Sequence, residues 1–236
     1  KRQVPSCLAR LAKLADAADS YTPLDSVKLL APIRQPGKLL ALAGNYTEHI
    51  KEVGRELGLS DSPRESTVPR PFLMPATAVT GPDTQIPWPD YSKEIDYEVE
   101  LAIIIGKEAK CVKPDDAPEH IAGYTIMNDV TARDWQRRDM AQAHPWFMSK
   151  SLDTFGPMGP CVTLPDEIQE PCELALSLKV NGKVRQRSNT RHMIFNIPEL
   201  IHRLSRHLTL EPGDVISTGT PDGISPLQPG DVMEAK

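Results

Sequence analysis

The sequence of 236 residues has few aromatic side chains, no long apolar run and no concentrated positive charge. Phe, Trp and Tyr make up 5% of the chain, which leaves little surface for stacking on nucleic-acid bases. The net charge is −5, and Lys and Arg are scattered, which argues against nucleic acid or an anionic membrane as a partner. No stretch approaches the roughly 18 apolar residues of a membrane span. We therefore predict a soluble protein with no nucleic-acid and no membrane partner.

The four cysteines also exclude a class of protein. Cys7, Cys111, Cys161 and Cys172 form no Cys-x-x-Cys pair and lack the regular spacing of a disulfide framework. Free thiols are typical of a reducing compartment, so we predict a cytoplasmic location. The 23 prolines are dispersed through turns, as in a loop-rich β protein. Because the chain starts without Met and stops where a strand is expected to begin, we expect both natural termini to lie outside it.

The most informative stretch is 96–106, where two acids open a strongly β-prone run. Side chains alternate along a strand, so Glu98 and Glu100 should share one face, about 7 Å apart, with Ala102 and Ile104 following them. The opposite face is also apolar, which is typical of a buried strand. Two unpaired anions beside a core are costly unless a cation or donors meet them. The pattern indicates either a metal site or, as is commoner, a solvated strand face.

Hydrophobic periodicity and turn residues predict the other elements. Asn181-Gly182 predicts a type I′ hairpin between strands 174–180 and 183–187. Thr131 and Asp134 have the spacing of a capping box for a helix that ends near residue 141. The remaining elements that we predict are a helix over 6–18 capped by Ser6, extended segments over 24–32, 38–43, 72–75, 78–80, 84–87, 123–130, 160–164 and 215–218, a loop over 54–70, and a helix opened by Pro198.

A second group of polar residues has the chemistry of a catalytic site. His49 and Glu52 are three apart in a predicted helix over 47–54, so they share a face and can hydrogen-bond. A carboxylate that holds one imidazole nitrogen leaves the other free to act as a base on water. The commoner alternative is a surface helix contact.

Three further positions have a structural alternative beside the functional one. Asp129 ends a β-prone run at a strand-to-helix junction, where it serves either a site or the helix cap. Lys150, in a polar loop over 149–157, is by default a surface lysine. For the Gly219-Thr220-Pro221 loop there are two interpretations: it offers amides and a hydroxyl to an anion, or its glycine only permits a tight turn.

Together these segments resemble the fumarylacetoacetate hydrolase family. The motifs that carry the resemblance, from about residue 44 onward, are GNY at 44–46 with His49 and Glu52, DYEVEL at 96–101, GY at 123–124, NDVTARD at 128–134, KS at 150–151 with DTFGP at 153–157, VNG at 180–182, and LEPGD at 210–214 leading to TGTP at 218–221.

The resemblance implies a mainly β fold with short flanking helices (α+β), a mixed β-sandwich roll around a central metal site, acting as a homodimer. It divides the chain into an N-terminal helix with short strands, 1–43, and a catalytic domain, 44–236. Glu98, Glu100 and Asp129 would hold a divalent ion. Three carboxylates without Cys or His suit Mg²⁺ or Mn²⁺, with Ca²⁺ as a substitute.

The resemblance also implies roles for the other residues. His49 and Glu52 match a water-activating pair on a lid, and Lys150 matches a lysine that stabilises an oxyanion or enolate. The positions that match substrate-binding residues are Gln136, Thr220 and Gly219.

The implied activity is metal-dependent hydrolysis of a carbon–carbon bond in a small 2-keto or diketo acid, such as an acylpyruvate or fumarylpyruvate. Alternatives at the same metal site are decarboxylation of oxaloacetate, a 2-hydroxymuconate-type isomerisation and a ureidoglycolate-type lyase reaction. A catalytically silent binding protein is a third class.

One departure from the family pattern concerns the pocket. The family commonly has Phe-Leu-Lys-Pro where this chain has Phe-Leu-Met-Pro at 72–75. We expect Met74 to present an apolar surface in place of a pocket-side cation. Together with the loop over 60–70, this change is expected to decide which acid binds.

Overall fold

The computed structural model describes residues 4–57, 68–168 and 171–236. The strands are β1 Leu39–Ala43, β2 Arg70–Met74, β3 Val79–Thr80, β4 Ile95–Asp96, β5 Val99–Ile105, β6 Ile121–Asn128, β7 Thr131–Ala132, β8 Gly156–Thr163, β9 Ala175–Val180, β10 Lys183–Asn189, β11 Val215–Ser217 and β12 Met233–Ala235. The helices are α1 Val4–Asp16, α2 Thr47–Leu57, α3 Arg133–Ala141, α4 Phe147–Lys150 and α5 Ile197–His207. Over these described ranges, no helix has the length and apolar character that crossing a bilayer requires.

Seven strands form one mixed sheet in the order β2-β1-β11-β5-β6-β8-β3. β1 and β11 run parallel, whereas β5 is antiparallel to both of its neighbours, β11 and β6. A second sheet has the order β10-β9-β12, and β4 pairs with β7. This mixed β architecture with short helices confirms the predicted fold class. β1, from the predicted N-terminal part, is an inner strand of the large sheet.

Strand β5 separates two hydrophobic cores. Val99, Leu101 and Ile103 belong to the larger core, which also contains apolar residues of β9 and α5. Ala102 and Ile104 belong to a smaller core with residues of β1 and β8. The predicted alternation is confirmed, and it places the two glutamates on the smaller core's side of β5, at the edge of that core.

Several local predictions are confirmed. The turn residues of the β9–β10 hairpin have φ of 50° at Asn181 and 74° at Gly182, as a type I′ turn requires. Helix α5 carries a complete capping box made by Asn196 and Glu199, with Pro198 in its first turn.

Other local predictions are wrong. Ser6 lies within α1 and does not cap it. Residues 24–32, which the structure describes in full, contain a 3₁₀ turn at Leu24–Ser26 and no strand. Leu24, Val27 and Leu30 stay exposed there, so an apolar face is not buried. Residues 84–87 likewise form no strand. Of the predicted loop over 54–70, residues 54–57 instead continue α2 and Arg70 opens β2, whereas residues 58–67 lie outside the described residues.

The predicted capping box before α3 is also wrong. The helix begins at Arg133 and has no side-chain cap. Thr131 pairs in β7 and its hydroxyl donates to the Glu98 carboxylate at 3.0 Å. Asp134 instead accepts from Ser92 at 2.6 Å and from the Lys93 amide at 3.0 Å. Both side chains therefore form hydrogen bonds with residues distant in sequence and do not cap α3.

Asn45 joins three segments that border the predicted site. Its side-chain amide donates to the carbonyls of Phe195 at 3.0 Å and Thr218 at 2.8 Å, and its oxygen accepts from the Phe195 amide at 2.9 Å. The side chain is 2% exposed, so water does not replace these bonds in the folded protein. Asn45 therefore fixes the start of α2 against the loop after β11.

We predict that Asn45→Ala lowers the free energy of unfolding by about 3 kcal/mol, because three buried backbone groups lose their partners. Urea unfolding followed by circular dichroism measures the change. Gln228→Ala, at an exposed position, should stay within about 0.5 kcal/mol of the parent. Equal stability of the two variants would contradict this role of Asn45.

Candidate metal centre

The three predicted metal ligands come together in the structure. Glu98 immediately precedes β5, Glu100 lies in it, and Asp129 follows β6. The register pairs Val99 with Asn128, so the Asp129 amide donates to the Glu98 carbonyl at 2.9 Å. Each acid offers one oxygen, and these oxygens lie within 4.8 Å of one another. All three side chains are buried.

Two buried cations contact these acids. Lys150 is 1% exposed and donates to Glu98 at 2.9 Å and Asp129 at 2.7 Å, so it is not a surface lysine. Arg133 donates to Asp96 at 2.7 Å and also to Glu98. The cluster therefore combines four buried carboxylates with two buried cations.

The charge balance and one unpaired atom fit a divalent ion. Four carboxylates and two cations leave two negative charges, which one divalent ion neutralises. Oδ1 of Asp129 is buried and has no hydrogen-bond partner among the described residues, although an unpaired buried acceptor is costly. An all-oxygen donor set suits Mg²⁺ or Mn²⁺ better than Zn²⁺. The residues present thus fit the predicted cofactor.

Burial and the neighbouring charges together shift the pKa of each acid. Burial raises the pKa of Glu100 well above its ordinary value, and the Asp129 carboxylate raises it further. Burial also raises the pKa of Asp129, to about 6, against the opposing charge of Lys150. Burial opposes ionisation of Glu98 too, but Lys150 and Arg133 together outweigh it and lower the pKa to about 2. Glu98 differs because it contacts both cations.

Backbone and hydroxyl donors hold Glu100. Its Oε2 accepts from the Ser217 hydroxyl at 2.6 Å and from the Gly219 amide at 2.8 Å. Gly219 has φ +95°, and an added Cβ would lie 2.8 Å from Cβ of Asn45, so a larger residue does not fit. The Gly219 amide, predicted to face substrate, therefore donates to a predicted metal ligand.

A closed triangle of hydrogen bonds supports the strand between the two glutamates. The Val99 amide donates to Gln186 at 3.0 Å, Gln186 donates to the Thr220 hydroxyl at 2.8 Å, and that hydroxyl donates to the Val99 carbonyl at 2.9 Å. All three residues are buried. The Thr220 hydroxyl proton is thus committed to Val99, while the residue still lines the pocket beside the acids.

His49 of α2 lines the same pocket, and Glu52 lies three residues further along the helix. His49 is 5% exposed, and its Nδ1 lies 3.6 Å from Glu52, which is too long for a hydrogen bond. The predicted hydrogen bond is therefore absent here. Glu52 instead accepts from the Gly223 amide at 3.1 Å, which joins α2 to the loop after β11.

The cleft over the acids opens to solvent. Its aromatic wall is Phe72 packed edge-to-face on Trp146, with ring centroids 5.6 Å apart, and Lys150 lies 5.5 Å from the Phe72 centroid. Gln136 also lines the cleft and accepts a hydrogen bond from Arg133.

The expectation for Met74 is wrong. Its side chain is 3% exposed and packs in the smaller core, away from the residues that line the cleft. The apolar surface at this side of the cleft comes from Phe72, two residues earlier on the same face of β2.

Sequence reasoning missed the roles of Asp96, Arg133 and Gln186. Asp96 and Arg133 both lie inside the family motifs, in segments that are otherwise buried. Two residues of opposite charge in such segments could have been used to predict a buried ion pair. Gln186 lies among polar residues of β10, and only the packing of the two sheets shows that it is fully buried.

The chain matches the family model described as fumarylacetoacetate (FAA) hydrolase, C-terminal, over residues 38–236. It belongs to the fumarylacetoacetate hydrolase family. The resemblance seen in the motifs is therefore confirmed.

Two related proteins illustrate the range of this family. An uncharacterised protein of Pyrococcus abyssi is 49% identical over 201 residues, covering 85% of this chain and 85% of that protein. The human mitochondrial oxaloacetate tautomerase FAHD2A is 40% identical over 202 residues, covering 86% of this chain but 61% of that protein.

Two solved structures share the fold. The 5-carboxymethyl-2-hydroxymuconate delta-isomerase of Mycobacterium smegmatis has a TM-score of 0.79 and 40% identity, covering 93% of this chain and 81% of that one. The fumarylpyruvate hydrolase of Pseudomonas aeruginosa, in complex with Mn²⁺ and pyruvate, has a TM-score of 0.77 and 29% identity, covering 93% and 88%. Named family members are thus enzymes that act on small acids, and one binds Mn²⁺.

We predict that Glu100→Gln and Asp129→Asn each weaken binding of Mn²⁺ by at least about 100-fold, since even changes outside the ligand set typically cost about 10–100-fold. Calorimetry measures the affinity, and circular dichroism checks that the fold is kept. Glu119→Gln, an exposed acid paired with Lys107, is the matched control and should bind like the parent. Unchanged affinity in both site variants would contradict the ligand assignment.

We predict that stabilisation by Mn²⁺ grows with pH. The folded-state pKa of Asp129, about 6, lies above the ordinary value of about 4. The metal-free protein therefore loses stability as the pH rises through this interval, while the ion binds the deprotonated acids and restores it. The rise in Tm on adding Mn²⁺ should be small at pH 5 and largest above pH 7. A pH-independent rise would contradict the shifted pKa.

Proposed function

We propose that this chain is a divalent-metal-dependent hydrolase that cleaves a carbon–carbon bond in a β-diketo acid such as an acylpyruvate or fumarylpyruvate. The observation that carries the proposal is the placement of His49, a buried potential base, in the same cleft as the three-acid cluster. Hydrolysis needs a base that deprotonates water, whereas tautomerisation of a bound acid does not.

The cofactor would be Mg²⁺ or Mn²⁺ held by Glu98, Glu100 and Asp129. When bound, such an ion polarises a carbonyl and offsets developing negative charge. The support is the charge balance of the buried cluster together with the Mn²⁺ complex of the related fumarylpyruvate hydrolase.

In the proposed reaction, His49 takes a proton from water, and the resulting hydroxide attacks the acyl carbonyl. Glu52 orients the imidazole through Nδ1, and their 3.6 Å separation would shorten when substrate binds, as catalytic hydrogen bonds commonly do. Lys150 supplies a fixed positive charge beside the forming oxyanion. The carbon–carbon bond then breaks with its electron pair on the pyruvate fragment, which is released as an enolate and protonated, together with a carboxylic acid.

The remaining predicted residues would orient the substrate. Gln136 keeps its amide group for a substrate oxygen, since its own oxygen accepts from Arg133. The Thr220 hydroxyl accepts from Gln186 and donates to Val99, and it keeps one acceptor lone pair for a substrate group in the cleft that the residue lines.

A second candidate function is tautomerisation, isomerisation or decarboxylation of a 2-keto acid at the same site. It is favoured by Lys150, which lies where an enolate would form, and by the human relative, an oxaloacetate tautomerase. Such reactions stop at the enolate and do not need His49 as a base on water.

We also propose a homodimer in the cytoplasm. The homodimer is carried over from the family, and sedimentation velocity tests it. The cytoplasmic location rests on the cysteine pattern, whereas the human relative is named as mitochondrial.

We predict that His49→Gln lowers kcat for acetylpyruvate hydrolysis by about 10²–10⁴-fold, the usual contribution of a general base. Loss of the enol absorbance gives the rate, and mass spectrometry identifies acetate and pyruvate. Mn²⁺ affinity should stay near that of the parent, because His49 is not a ligand. His207→Gln, at an exposed position, serves as the control. Hydrolysis at the parental rate in His49→Gln would exclude the proposed water activation. A protein that tautomerises oxaloacetate but does not hydrolyse acetylpyruvate would favour the second candidate.

A further inference from the structure

A second pocket adjoins the cleft at the end of β1. The two share Leu42, Ala43 and Gly44, and the second continues past Ile50 and Phe195 to Arg70. Its walls are otherwise largely apolar, and the Asn45 amide at its base is already hydrogen-bonded. Arg70 is therefore the cation of a mostly apolar side pocket.

The register of the sheet places Arg70 on the side of the proposed active site. Arg70 opens β2 and pairs with Ala43 of β1. Residues two apart in a strand share a face, so Arg70 lies on the same face as Phe72, which lines the cleft. The side pocket and the cleft are thus lined from one face of one strand.

Arg70 differs from the other cations near the site in its ion pairing. Arg133 and Lys150 are neutralised by the buried carboxylates that they contact. Among the described residues, no carboxylate forms an ion pair with Arg70. A half-buried guanidinium beside apolar walls binds a carboxylate strongly, through two parallel hydrogen bonds.

We propose that Arg70 binds the distal carboxylate of a dicarboxylic substrate whose 2-oxo acid end lies at the three-acid cluster. The inference rests on the proposed function and names its substrate class. Lys150, which contacts two of the acids, lies 5.5 Å from the Phe72 ring, and Arg70 lies two residues, about 7 Å, further along β2 in the adjoining pocket. The two carboxylates of the substrate must therefore be separated by several bonds, which favours a fumarylpyruvate-like diacid over oxaloacetate.

The structural alternative is that Arg70 only opposes the pairing of an edge strand with other chains. β2 is at the edge of the large sheet, and charged side chains at such edges oppose pairing with other chains. In that case its removal would affect all substrates alike, so a comparison of two matched acids separates the alternatives.

The kinetic test compares fumarylpyruvate with crotonylpyruvate, in which a methyl group replaces the distal carboxylate. Arg70→Gln in the Mn²⁺-loaded protein should raise KM for fumarylpyruvate by about 10- to 100-fold, the usual range for a hydrogen-bonded charge pair. Its kcat for fumarylpyruvate and both constants for crotonylpyruvate should stay within about twofold. Arg70→Lys should restore part of the loss. Arg187→Gln removes an exposed positive charge elsewhere and should leave both acids unaffected.

A binding test distinguishes failure of this inference from failure of the proposed hydrolysis. Calorimetry on the Mn²⁺-loaded protein compares 2-oxoadipate with 2-oxohexanoate, which differ only in the terminal carboxylate and are not cleaved. The parent should prefer the diacid, and Arg70→Gln should remove that preference. A parent that binds both acids equally, or neither, overturns the role of Arg70. Absence of hydrolysis with the binding preference intact overturns the hydrolase function alone.

Discussion

Excess negative charge buried beside β5 is the constraint on which the rest of the structure depends. Glu98, Glu100, Asp129 and Asp96 are removed from water at the edge of a hydrophobic core, where isolated anions are unstable. Lys150 and Arg133 neutralise half of this charge, and fixed donors from Ser217, Gly219 and Thr131 satisfy further oxygens. The charge that remains equals that of one divalent ion. The same cluster is costly without such an ion, which is the physical reason for proposing a metal site here.

The scaffold around the cluster keeps those donors in place. Asn45 joins the start of α2 to the loop after β11, and Gln186 joins the smaller sheet to the backbone between the two glutamates. β11 ends at Ser217, opposite Ala102, so strand pairing stops there. Beyond this point the buried side-chain amides of Asn45 and Gln186 supply hydrogen bonds to the backbone. The ligand geometry thus rests on contacts between segments more than 80 residues apart in the chain.

The family relationship explains why one charge cluster serves several reactions. The named relatives include a tautomerase, an isomerase and a hydrolase, all acting on small acids. In the proposed function these reactions share an enolate, whose negative charge Lys150 and a divalent ion held by the buried acids would offset. Residues outside the cluster then separate the outcomes. In our proposal, His49 decides whether water attacks, whereas Phe72, Trp146 and Arg70 shape the space for the rest of the acid.

The sequence alone determined the family, the mainly β fold and the cluster of three acids, because the motifs occur in order and strand alternation places Glu98 and Glu100 on one face. It also determined the β9–β10 turn and helix α5, whose signals are local. Only the tertiary structure decided what depends on distant partners. Thr131 and Asp134 form tertiary hydrogen bonds in place of the predicted cap. Residues 24–32 pair with no strand, and Met74 packs in the core. The burial of Gln186 and the side pocket at Arg70 likewise arise where strands from separate parts of the chain meet.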